Sequence, residues 1–183
     1  MASPKRHISW LAGKILKYRK KLRQTDTSTW AGKIKKRFYS AMNRILSAML
    51  SIWKKIKAIY DFTKSKIDSL RKQQDIAKEA IDELKETKKE LEKKKALLKA
   101  KGIATPSKLK SIETKIKLCE KNITKNADII KKADKLIDKY KNSSNKDIQR
   151  KVEQIFRYRA KAIKLVKQYK ASLKDYRKAI KKV

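Results

Sequence analysis

Glycine and proline are nearly missing, with three of one and two of the other in 183 residues. Few positions therefore force a helix to stop. Cysteine is reduced to Cys119, which excludes an intramolecular disulfide and a thiolate cluster for a metal. The only histidine is His7, so no imidazole set exists for a metal or a Ser-His-Asp triad. Acids number 18 against 54 Lys+Arg; nearly all are outnumbered locally by lysines, and no paired carboxylates of a general acid and base stand out. No P-loop or Gly-rich nucleotide motif is present. The expectation is a non-enzymatic chain that needs no metal and no cofactor.

Long apolar runs are lacking too. The longest, 45–53, is interrupted by Ser47 and Ser51, well short of the roughly 18 residues a transmembrane helix requires. The N-terminus has no apolar h-region, so no secretory signal peptide is expected. Residues 1–23 are basic, amphipathic and free of acids, as a mitochondrial transit peptide would be. Other uses of such a helix are commoner, and targeting is not the favoured reading.

What is present in excess is positive charge. The formal net charge is +36, far beyond what solubility needs. Such a charge repels itself in a compact monomer, which implies an anionic partner. Nucleic acid is the commonest, because Lys and Arg contacts to phosphate dominate that affinity. Hydrophobic residues make up 40%, enough for a core and too many for a disordered basic tail.

Turn chemistry divides the chain at three places. Residues 24–28 are rich in helix-capping side chains. At 102–106, Gly102 suits a C′ position, Thr105 an N-cap and Pro106 the first helical position. At 142–145, Ser144 can cap, with Asp147 three residues on as in a capping box. Between these breaks apolar residues alternate at spacings of three and four, a coiled-coil signal. The middle segment carries Leu109, Ile112, Ile116, Cys119, Ile123, Asn126, Ile130, Ala133, Ile137 and Tyr140. The last carries Ile148, Val152, Ile155, Arg159, Ala162, Val166, Tyr169, Leu173 and Tyr176. The first runs through Ile67, Leu70, Gln74, Ala77, Ile81 and Leu84. Asn126 and Arg159 are polar members that would fix register.

The expected fold class is all-α. Long helices at about 66–101, 107–141 and 146–182 form an antiparallel three-helix coiled-coil bundle over residues 61–183. Residues 1–60 form a basic N-terminal helical extension, with a helix at about 8–23 and the start of a long helix from about 29. A short repeat marks this region: Ala12-Gly13-Lys14-Ile15 recurs as Ala31-Gly32-Lys33-Ile34, each with a Trp just upstream.

Charge is uneven along the chain. Residues 1–60 hold 16 Lys+Arg and one acid, Asp26; residues 142–183 hold 14 and three. Residues 61–101 are nearly balanced, with 13 basic and nine acidic. Basic residues stand beside aromatics at 17–21, 35–39 and 157–159, a pattern in which cations hold phosphates while rings stack on bases. The candidate nucleic-acid contacts are Lys17, Arg19, Lys20, Lys21, Arg23, Lys35, Lys36, Arg37, Arg157, Arg159 and Lys164. Without a zinc finger or compact helix-turn-helix, backbone contact is expected over base readout. The apolar face of 38–60 is wider than a coiled-coil seam and needs a cover. Phe38, Met42, Ile45, Met49, Ile52, Trp53 and Ile56 are the candidate contacts to a partner protein or a second copy, with helix 8–22 as the internal alternative.

These features together imply a structural component of a large nucleoprotein assembly. It would bind DNA or RNA non-specifically and pack on other proteins of that assembly. A virion, phage included, comes first and a ribonucleoprotein particle second; the Lys/Ile/Asn bias of an AT-rich genome suits either. The alternative is a membrane-active protein that binds anionic lipid through residues 8–60.

Overall fold

The computed structural model describes residues 3–182. It is all-helical, with three helices and no strand among the described residues. They are α1 (Pro4–Gln24), α2 (Trp30–Ala100) and α3 (Pro106–Lys181).

Both turns follow from their sequences. Thr25 Oγ1 donates to the Lys21 carbonyl at 2.6 Å, satisfying an orphan acceptor at the end of α1. Asp26 Oδ1 accepts from Ser28 N at 2.9 Å. That bond holds the Asp26 carboxyl below its ordinary value. Thr29 Oγ1 then caps α2 by accepting from Gly32 N at 3.0 Å. A Cβ on Gly32 would collide with the Asp26 carbonyl oxygen, so this turn requires glycine. The second turn is a Schellman motif. Ile103 N donates to the Leu98 carbonyl and Gly102 N to the Lys99 carbonyl, both at 3.2 Å. Gly102 has φ 69°, and Thr105 Oγ1 caps α3 through Lys108 N at 3.3 Å.

The break expected at 142–145 is absent, because α3 runs through it unbroken. Capping side chains favour an end by only about 1 kcal/mol, and neither Gly nor Pro is there to enforce one. The inward stripe continues instead through Tyr140, a buried Ser144 and Ile148. Residues 61–65 are likewise helical, within a single α2 of 71 residues.

The chain divides into two compact units, Met1–Phe62 with Ser144–Val183 and Thr63–Ser143. The first is a bundle of three antiparallel segments: α1, the start of α2 and the end of α3. Its core joins Leu11 and Ile15 to Leu46, Met49, Ile52, Trp53, Ile56 and Ile155. Aromatic pairs set the register. His7 stacks on Trp53 at 4.1 Å, Phe38 stacks on Tyr169 at 4.0 Å, and Trp30 meets Tyr176 edge-on at 5.2 Å. Three helices thus bundle as expected, but residues 1–60 supply two of them and are not an extension. The broad face assigned to a partner is covered inside the chain. Phe38, Met42, Met49, Ile52, Trp53 and Ile56 are buried, and Ile45 is half-buried against the core. The physical reason is that α1 and α3 flank α2 on two sides.

The second unit is a two-helix antiparallel hairpin. Ile67, Ala77, Ile112, Cys119, Ala133 and Ile137 are its buried apolar residues. Gln74, also buried, donates Nε2 to the Ile130 carbonyl at 3.0 Å and to Asp134 Oδ1 at 2.7 Å. A polar residue satisfied across the seam fixes register. Asn126 instead donates to Asn122 O on its own helix, so it locks no partner. Lys88–Glu120 at 3.1 Å and Lys95–Glu113 at 2.9 Å complete the pairing.

Candidate nucleic-acid interface

In an antiparallel helix pair, the residue just before each seam position lies on one flank, and this holds for both helices. In the first unit that flank of α2 presents Arg44, Ala48, Ser51 and Lys55. The same flank of α3 presents Gln154, Arg157, Lys161, Lys164 and Gln168. Two shallow depressions, of about 460 and 400 Å³, lie between them and share Lys161. They form one groove lined by five cations, Arg44, Lys55, Arg157, Lys161 and Lys164, and by no acid. Ile45, Ile52 and Leu165 floor it. Tyr158 stands at its edge with Lys161 Nζ over the ring at 5.1 Å. No α1 residue contributes.

The dimensions suit a strand of nucleic acid. Arg44 to Lys55 spans eleven residues, about 16 Å of helix. One strand of duplex carries a phosphate every ~3.4 Å of axis, so this stretch matches about five phosphates. The walls are tied together by the core beneath, which spares an incoming strand the cost of ordering them.

Of the residues expected to bind, Arg157 and Lys164 lie in the groove. Arg159 does not: it is exposed, and Tyr158 takes the inward position that the heptad count gave to Arg159. Lys17, Arg19, Lys20 and Arg23 are exposed along α1, and Lys36 and Arg37 near the start of α2. Lys21 and Lys35 line a separate depression at the α1–α2 turn, where Asp26 offsets their charge. Lys21 Nζ also sits 5.5 Å from the rings of Tyr18 and Tyr39. The sequence reading missed Arg44, Lys55 and Lys161. None lies in a dense basic run beside an aromatic like those at 17–21 and 35–39, and only pairing of α2 with α3 brings them together.

Beyond the groove, chemistry is sparse. Among the described residues no three His, Cys, Asp or Glu side chains approach closely enough to hold a metal. No helix there is long and apolar enough to cross a membrane. Cys119 is a buried free thiol.

The fold and groove define a helical-bundle protein with a cationic channel on one unit. No protein-family model matches the sequence, and no curated protein is significantly similar to it.

Proposed function

We propose that this protein is a non-enzymatic structural component of a large nucleoprotein assembly that grips nucleic-acid phosphates non-specifically in the α2–α3 groove. The observation that carries the reading is the groove itself, with five cations and no acid along a length of about five phosphates. Charge distribution supports it. The unit that holds the groove has 30 Lys+Arg against 5 acids, whereas the hairpin unit has 24 against 13. Backbone contact without base readout suits a protein that coats or packs a genome. A virion is the favoured setting, and an intracellular ribonucleoprotein particle the second. Fluorescence anisotropy with labelled duplex DNA, single-stranded DNA and RNA tests the proposal. Binding to all three should weaken steeply with salt. Binding that ignores salt, or no binding at low salt, would remove it.

A second reading rests on α1. Trp10 and Leu16 are 58% and 63% exposed on a helix without a single acid, which suits the surface of an anionic bilayer. With the broad apolar face of 38–60 covered by α1 and α3, that contact would be confined to α1. Flotation with phosphatidylserine vesicles separates the two: capture by vesicles without affinity for nucleic acid would favour the lipid.

A further inference from the structure

The two flanks of the hairpin unit differ. On the flank made by residues following each seam position, no side chain is more apolar than alanine. That flank is also the one joined internally, since Glu113, Glu120 and Asp134 all lie on it. The opposite flank, made by residues preceding each seam position, carries Ile76, Leu118, Ile129 and Leu136. These are 68%, 56%, 44% and 42% exposed. A two-helix hairpin buries little, and an apolar stripe left bare on one side of it needs a cover.

One pair of charges on this flank, Glu83 and Lys125, points to the cover. The pairs Lys88–Glu120 and Lys95–Glu113 set the heights of the two helices. Counting from them, Glu83 and Lys125 stand at one height, and Ile76 stands midway between the heights of Ile129 and Leu136. Among the described residues no ion pair engages Glu83 or Lys125. A two-fold axis parallel to the helices would lay α2 of one copy over α3 of another at equal height. Ile76 of each copy would then enter between Ile129 and Leu136 of the other, and each Glu83 would face a Lys125. Lys132, which stands at the height of Ile76, would lay its stem alongside it, and the Ile76 contact and the Glu83–Lys125 pair repeat on both sides of the axis, as an isologous interface requires. We infer that this flank of the hairpin unit is a homodimer interface, which closes two hairpins into an antiparallel four-helix bundle.

Sedimentation equilibrium on the full chain, freed of nucleic acid, tests this. The expected mass is twice that of the chain. Ile76→Lys, an exposed position that should leave the helix content by circular dichroism unchanged, should reduce the mass to that of one chain. Glu83→Lys should weaken association, and adding Lys125→Glu should restore it. Asp82→Lys makes the same charge change on the other flank and should leave the dimer intact. A single-chain mass for the wild type at every concentration would overturn the inference and leave the stripe to a partner of different sequence. So would a dimer that survives Ile76→Lys, or charge reversal without rescue.

Discussion

Replacing Arg157, Lys161 and Lys164 by alanine removes three of the five groove cations while leaving the apolar floor in place. Each cation that neutralises a phosphate releases a counterion. The logarithmic salt slope then steepens by about 0.9 per contact on duplex and about 0.7 on single strands. The intact groove should therefore contribute about 4.5 to the magnitude of the duplex slope. The triple variant should lower that slope by about 2.7 on duplex DNA and by about 2.1 on single strands. Between 50 and 200 mM salt, where log[salt] changes by about 0.6, a loss of 2.7 in slope means the variant loses roughly 40-fold less affinity than the wild type does. Cations elsewhere add a common background, so the difference between proteins is the measurement. The matched control is Lys78→Ala, Lys85→Ala and Lys131→Ala on the polar flank of the hairpin, which removes the same charge. Anisotropy titrations at five salt concentrations supply the slopes. If both triple variants shift the slope equally, binding follows net charge alone and the groove has no special part. A wild-type slope retained by the groove variant would refute the reasoning outright.

Three further outcomes follow from the structure. The two glycines of the internal repeat should behave oppositely in thermal unfolding. Gly13 has open space around its absent Cβ, so Gly13→Ala should stabilise by up to about 1 kcal/mol as a helix-interior change. Gly32→Ala meets the Asp26 carbonyl and should destabilise by about 1–3 kcal/mol. Ser143→Pro tests the continuity of α3. In a helix interior it should cost about 3 kcal/mol, whereas at a loop it would be nearly neutral. Alkaline unfolding should report Tyr169, whose hydroxyl is pushed up to about 12, first by burial and then by its hydrogen bond with Tyr39. Its ordinary value is 10.0, so between pH 10 and 12 the native state keeps a proton that the unfolded chain releases. This contribution to stability is complete below pH 10 and is lost as pH rises toward 12. Tyr169→Phe should flatten that part of the Tm-against-pH curve; an unchanged slope would contradict the assignment.

The helical class and both real turns were legible because their signals are local. Thr29 and Thr105 sit where N-caps belong, Gly102 adopts the positive φ of a C′ residue, and Pro106 occupies the first helical position. The step at 142–145 misled for the same reason. Asn and Ser are only weakly unfavourable inside a helix, and whether they end one depends on what packs there. The seam supplied that packing through Tyr140, Ser144 and Ile148. Those positions are spaced four and four, and beyond Ile155 the inward position falls on Tyr158 and not on Arg159.

The groove was lost to this one error. Within the first unit the Phe38–Tyr169 stack shows which residues of α2 and α3 meet, and Arg44 falls opposite the 161–164 stretch. Lys55 reaches the other end of the same flank, near Arg157. The five cations directly precede Ile45, Ile56, Tyr158, Ala162 and Leu165, and of the three on α3 only Ala162 belongs to the three-four series of the sequence. With a break at 142, the third segment had no register against the start of α2, and Arg44, Lys55 and Lys161 remained scattered charges. The runs at 17–23 and 35–37 drew attention because they are dense in sequence. Density along a helix spreads cations around its circumference, however. A groove needs them at intervals of three, four and seven on two chains of residues that face each other.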